Sequence, residues 1–275
     1  MEHGVTWLNF LPGYRQIDEY LRTVQPDGGF LGVPVVFQHV AAAILVTIVL
    51  YLIALRARSQ LNKANDNGLI PEPGISTRNF LELIFEALYK QTQSMIGKKE
   101  AGRYFPVLAA LSLFIFFSNI LGLVPGFSPP TDNWNTTFAC GFFVFIYYNF
   151  HGLRVNGWAH IEHLAFPAGK SALGWILFPL LFPIEIVSHC ARPFSLGVRL
   201  ATNMIGDHAV LFAFLGLVPI LVPLPFLGLG LMVCMIQTLV FVLLSIIYIA
   251  LAVEEAHHDD HHHEEEHGQP ATAHA

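Results

Sequence analysis

Long apolar runs alternate along the chain with short segments that carry most of its charge. The first run, Val35 to Leu55, follows the breaker Pro26-Asp27-Gly28-Gly29 and holds no Asp, Glu, Lys or Arg. About 20 apolar residues cross the ~30 Å of hydrocarbon in a bilayer, so this run predicts a spanning helix. A second, Tyr104 to Val124, ends at Pro125-Gly126. From Phe138 to Phe150 the apolar stretch is short, and a crossing that begins near Asn133 is expected, with Trp134 and the Tyr147-Tyr148 pair as interface anchors. Ser171 to Leu217 is apolar except for Glu185, His189, Arg192, Arg199, Asp207 and His208, and Pro219, Pro223 and Pro225 end it. The last run, Phe226 to Val253, is uncharged and stops at Glu254-Glu255. Between the first two runs the period changes. Phe80, Leu83, Ile84, Ala87 and Leu88 recur at helical spacing behind Thr77, a candidate cap, which predicts an amphipathic helix lying along the membrane surface.

Composition agrees with that pattern. Only 12% of the 275 residues are charged and 54% are hydrophobic, with 23 Phe, whereas soluble domains carry about 25% charged residues. A soluble globular protein is excluded, and an all-α polytopic membrane protein is predicted. Its expected parts are an external N-terminal segment over 1–34, a single membrane domain over 35–253 and an unfolded, His- and acid-rich tail over 254–275. No basic segment leads into an apolar core at the N-terminus, so no cleaved signal is expected. Eight of the 14 basic residues fall between Arg56 and Arg103. The positive-inside rule makes that loop cytoplasmic and the N-terminus external. Arg154, His160, His163 and Lys170 mark a second cytoplasmic loop, whereas PGFSPPTDNWNTT, without Lys or Arg, is external. Net charge is -6, but the tail alone holds seven of the 20 acidic residues and no basic one, and no basic cluster interleaves with aromatics as a nucleic-acid face requires. Cys140, Cys190 and Cys234 lie in or beside apolar segments and read as packing residues.

Charge inside the fourth run needs a reason, since each charged side chain at the bilayer centre costs at least ~2.5 kcal/mol on insertion scales. On an ideal helix with Arg199 at zero, Arg192 falls at about 20°, Glu185 and Asn203 at about 40° and Asp207 at about 80°. If the helix continues through Pro193, they form one polar stripe. If Ser188 to Pro193 is instead an interfacial loop, Arg192 and Glu185 are accounted for, but Arg199 is not, flanked as it is by Phe194, Leu196, Val198 and Leu200.

The segment Pro193-Phe194-Ser195-Leu196-Gly197-Val198-Arg199-Leu200, followed by Asn203 and Gly206, resembles the signature of subunit a of F-type ATP synthases. FLELIFEALYKQTQSMIGKKEAGRYFPVLAALSLFIFFSNILGLVPG, at 80–126, and the Gln237 segment up to its acidic end resemble that family too. The resemblance implies about five spanning helices in a bacterial inner membrane, with a cytoplasmic C-terminus and the last two helices long, tilted and wrapped against a ring of c subunits. It implies as partners the c ring, the b-subunit peripheral stalk, the rest of the synthase and membrane lipid, with no nucleic acid, no cofactor and no bound metal. Arg199 would be the essential gate, Asn203 and Gln237 its polar neighbours, and Glu185 and His208 groups on an aqueous path reached from outside. Arg192 would take a cytoplasm-side or packing role. His208 lies about 180° from Arg199 on an ideal helix, which requires a bend or a separate channel wall.

Two departures from the family pattern bear on the path. Asp207 precedes His208 where the pattern has small residues, and Gly230, seven residues before Gln237, stands where a titratable side chain is common. A swap is expected, in which the Asp207 carboxylate occupies space left by Gly230; the alternative is that Gly230 only permits close helix packing. The family's chains also usually stop soon after the acidic pair. The seven tail histidines read as a solvated segment with adventitious metal affinity, or as a site of metal regulation. Two other functions compete with the stator: a metal-cation transporter, suggested by those histidines and the intramembrane carboxylates but lacking an internal repeat, and a membrane scaffold, which leaves Arg199 unexplained. No nucleotide-binding motif occurs, so no catalytic site of the chain's own is expected.

Overall fold

The computed structural model describes residues 7, 12–24, 37–63, 77–124, 126–157, 172–217 and 223–267. The basic-loop residues His160, His163 and Lys170, the proline Pro219 and the tail beyond His267 lie outside them. Among the described residues the chain forms α1 (Tyr14–Val24), α2 (Phe37–Lys63), α3 (Thr77–Ile96), α4 (Ala101–Leu123), a single 3-10 turn (Pro130–Asp132), α5 (Trp134–Asn156), α6 (Ala172–Leu217) and α7 (Pro223–His267), with no strand. Among the described residues, three helical segments are long and apolar enough to cross a membrane by length and composition: Phe37–Asn62, Ala101–Leu123 and Leu224–Val253.

Helix boundaries follow local chemistry. Gly97 ends α3 at φ +93, a left-handed conformation that costs glycine nothing, and its N–H returns to the Gln93 carbonyl at 3.1 Å. The short third run is completed by Asn133, whose side chain accepts from the Asn135 N–H at 2.9 Å and caps α5. That satisfies one of the orphan donors of the first turn and gives the crossing the start expected of it. On α3, Lys90 pairs with Glu86 one turn back at 2.6 Å, and this hydrogen bond and charge hold the Glu86 carboxyl below its usual range. Leu81 and Arg78 are buried on that helix, while Phe80 and Leu83 face outward, as for a helix with an apolar side toward lipid. α7 continues through His267, into the segment expected to be unfolded; extending an existing helix needs no new nucleus.

The packed centre lies where α4, α5, α6 and α7 meet, around Tyr104, Ile115, Tyr148, Leu200, Phe241 and Ile246. Outward-facing Ile44 and Ile48 on α2, Phe142 and Ile146 on α5, and Met232, Ile236 and Leu239 on α7 are the inverse of a soluble surface. Close approach of α5 to α6 depends on small residues: a Cβ at Gly141 would come 2.7 Å from the Pro193 carbonyl oxygen, and one at Gly197 would press on Phe138.

The last two helices form one antiparallel hairpin in strict register. Arg192 lies over the Tyr248 ring at 5.6 Å, Asn203 bonds to Gln237, and Phe214 stacks on Phe226 at 4.3 Å. Successive partners are eleven residues apart on both helices, and eleven residues return to the same face within about 20°. With 46 residues, α6 is about 69 Å long at 1.5 Å per residue, more than twice the hydrocarbon thickness. The apolar part of α7, 30 residues or about 45 Å, also exceeds that thickness. Both helices are long enough that a bilayer accommodates them only at a tilt.

Candidate functional site

α6 is unbroken through Pro193, so the stripe expected on one face exists. Arg199 is exposed at the edge of the α6–α7 seam, and no hydrogen bond or ion pair engages its guanidinium among the described residues. One turn further on, the Asn203 Nδ2 donates to Gln237 Oε1 at 2.6 Å. Gln237 is 4% exposed, and its Nε2 has no hydrogen-bond partner among the described residues. A fixed cation thus stands one turn from a partly buried amide pair that ties the two helices together.

Toward the N-terminal half of α6 lies a first polar group. Asn149 of α5 donates through Nδ2 to the Phe145 carbonyl at 2.8 Å, which orients its Oδ1 toward His189 Nε2, also at 2.8 Å. The oxygen can only accept, so Nε2 carries a proton. The Tyr148 hydroxyl is 3.5 Å from the same nitrogen, and the Arg192 guanidinium sits over Tyr248. Arg192 of α6 thus packs on α7 through the Tyr248 ring. Glu185, one turn before His189, is half-buried, with no hydrogen bond or ion pair among the described residues.

Toward the C-terminal half lies a second group. His208 is 7% exposed and points away from the Arg199 face, against α4, with its Nδ1 3.9 Å from Asp132 Oδ2. The imidazole fits there because residue 122 is glycine: a Cβ at Gly122 would meet His208 Nε2 at 2.6 Å and Pro129 Cγ at 2.8 Å. His208 therefore packs on α4, on the side of α6 away from the Arg199 face. Asp132 is held by the connection between α4 and α5. Thr131 Oγ1 donates to Asn119 Oδ1 at 2.7 Å, with both residues fully buried, and His39 Nδ1–H donates to the Pro129 carbonyl at 3.2 Å. Asp207 and Gly230 line a common cavity of about 340 Å³ with Asn203, His208 and Leu123. One oxygen of Asp207 is buried without a hydrogen-bond partner among the described residues. A Cβ at Gly230 would meet only the tip of Leu123, at 2.7 Å.

Two expected site residues are not brought together. Glu185 and His208 were assigned to one aqueous path, but on a continuous helix Glu185 lies about 21 Å to one side of Arg199 and His208 about 13 Å to the other. Asp132, Gly122, Asn119 and Thr131 escape the sequence reading because they sit on α4 and a connecting loop, outside the stripe; the only sequence cue was a carboxylate in an external segment without basic residues. No three His, Cys, Asp or Glu side chains among the described residues are arranged to hold a metal ion.

Comparison with known proteins bears on the same residues. Residues 39–250 match the family model described as ATP synthase A chain. A protein of Sorangium cellulosum named ATP synthase subunit a is 43% identical over 78% of this chain and 81% of its own length. Proteins of the same name from Bdellovibrio bacteriovorus, 43% identical over 80% of this chain and 93% of theirs, and Geobacter sulfurreducens, 40% identical over 78% and 86%, agree with it. The match covers α2 through the apolar part of α7, and with it Arg199, Asn203 and Gln237, so the chain belongs to the ATP synthase A chain family.

Proposed function

We propose that the chain is the stator subunit of a rotary ATP synthase in a bacterial inner membrane, forming two proton half-channels whose separation depends on Arg199. The observation that carries this reading is an exposed, unengaged arginine on a membrane helix, with polar groups on both sides of it along the same helix. A guanidinium keeps its proton at any physiological pH, so Arg199 does not relay protons. It acts on a carboxylate brought to it. When a carboxyl group of the c ring rotates out of lipid and meets Arg199, the opposite charge favours its ionised form and a proton leaves. Arg199 also repels hydronium, so the two aqueous paths do not join and protons cross only by riding the ring. Each proton moving through 100 mV supplies ~2.3 kcal/mol toward rotation.

The two paths divide between the two polar groups. His208 and Asp207 belong to the path from outside, and Glu185 to the path reaching the cytoplasm, since α6 carries them to opposite sides of Arg199. Asn203 and Gln237 hold the hairpin closed beside the arginine. The tilted hairpin offers its Arg199 edge to the c ring, and the b-subunit stalk holds the chain still against it. Orientation follows from the basic residues of the α2–α4 region, which put the N-terminus outside and the C-terminus in the cytoplasm.

Arg199→Ala is expected to abolish ATP-driven proton pumping in inverted membrane vesicles while ATP hydrolysis by the detached catalytic sector is unchanged. Arg199→Lys keeps the charge but loses the planar fork, and is expected to lose coupling as well. Wild-type pumping by either variant overturns the assignment.

A further inference from the structure

We propose that Asp132, on the connection between α4 and α5, is the solvent-side proton donor to His208 in the outer half-channel. The inference rests on the reading above that His208 lies on that path. Asp132 is 22% exposed, whereas the His208 side chain it faces is 9% exposed, so the pair links solvent to a buried ring. The 3.9 Å separation is one small side-chain movement from a hydrogen bond. No other hydrogen bond or ion pair engages the Asp132 carboxylate among the described residues, so it is free to make that movement. Its backbone is not free. The Asp132 N–H bonds to the Pro129 carbonyl at 3.2 Å, Thr131 is tied to Asn119, and Pro129 to His39, so the carboxylate is presented by a pinned loop.

The groups that face His208 are Asp132 from the loop, Asp207 beside it on α6 and the Gly122 backbone on α4. Their order suits a relay. A hydronium ion protonates the Asp132 carboxylate and leaves water; the acid O–H then breaks as His208 Nδ1 takes the proton, leaving a carboxylate and an imidazolium. The imidazolium releases a proton from Nε2 to water in the cavity that His208 and Asp207 both line, and the Asp207 carboxylate, with one buried oxygen lacking a hydrogen-bond partner among the described residues, takes it up and becomes the acid. One proton moves inward and nothing is oxidised or reduced. The ring regains its first tautomer by turning over about its Cβ–Cγ bond.

A competing role for Asp132 is electrostatic only, as a negative charge next to the N-terminus of α5. The complete synthase reconstituted in vesicles separates the two. Passive proton conduction is measured after removal of the catalytic sector, and ATP-driven pumping before it. Asp132→Asn is expected to slow conduction by about a hundredfold or more, in the range of a lost acid–base group, and Asp132→Glu to retain most of it. In an Asp132→Cys, Cys190→Ser variant, a membrane-impermeant thiol reagent bearing a carboxylate is expected to restore conduction, and one bearing a sulfonate is not. Both adducts are anionic, but a carboxylate can take up and release a proton in water, whereas a sulfonate stays ionised. Wild-type conduction in Asp132→Asn overturns the proposal, as does equal restoration by the two adducts or by neither. If Asp132→Asn prevents assembly, the adduct comparison decides. Arg199→Ala runs alongside: normal ATP-driven pumping there brings down the stator reading itself, whereas loss of pumping there with an unaffected Asp132→Asn brings down only this inference.

Discussion

At the scale of the residue, Asp207 and Gly230 test how far a side chain can be moved between helices without losing its chemistry. Both line one cavity, and the atom nearest to a Cβ at Gly230 is the end of Leu123, a flexible group that yields at little cost. A carboxylate introduced from α7 therefore has room. Asp207→Gly is expected to lose proton conduction, and adding Gly230→Glu or Gly230→His to restore part of it. Gly230→Glu alone is expected to harm conduction, because two carboxylates in one cavity raise the cost of ionising either. A double variant no better than the worse single variant would sink the swap. Arg199 was legible in the sequence because a lone charge among apolar residues has few uses in a membrane. Asp132 was not, because an aspartate in a polar loop has many, and only its proximity to His208 separates it from a solvated loop residue.

At the scale of the element, the six longer helices were readable from apolar period and length, and α5 is the instructive case. Its apolar run alone is short for a span, and the Asn133 cap supplies the missing turn. The start near Asn133 was expected from sequence, and the cap that fixes it obeys a local rule. What no local rule gives is how closely two helices approach. Gly141 and Gly197 allow α5 and α6 to come together backbone to backbone, and a Cβ at Gly141 would be stopped by the Pro193 carbonyl oxygen, which belongs to the helix itself and cannot rotate away. Gly141→Val should thus force the helices apart and destabilise the fold by about 1–3 kcal/mol, the usual range for overpacking. Thermal unfolding in detergent should show it as a lowered Tm, with Gly206→Ala, where a Cβ meets nothing within 4 Å, as the contrasting variant. Equal losses at the two positions would refute the close-approach argument.

At the scale of the whole molecule, what matters is which face of the membrane each polar group reaches, and this depends on one local event: whether the helix survives Pro193. A break at Ser188 to Pro193 would have made two spans, folded back so that Glu185 and His208 shared a side. The continuous α6 instead puts the two residues on opposite sides of Arg199 along one helix. Sequence supplied the angle of each residue around the helix, but proline's effect on the ladder depends on what packs around it, here α5 through Gly141 and α7 through Tyr248. Labelling tests the outcome directly. With Cys190 changed to Ser, Glu185→Cys should react with membrane-impermeant thiol reagents applied from the cytoplasmic face, and His208→Cys from the outer face. Reaction at residue 208 should be the slower, because the position is buried against Gly122. The Arg199 guanidinium lies between the two positions on the same helix, so neither reagent should reach the far site while the arginine is in place. On the proposed reading, in which the Arg199 charge separates two aqueous paths, replacing Arg199 by Ala in each background should let the reagent from the opposite face through. If both cysteines react from the same face with Arg199 present, α6 does not carry the two groups to opposite sides, and the division of the path between them is wrong.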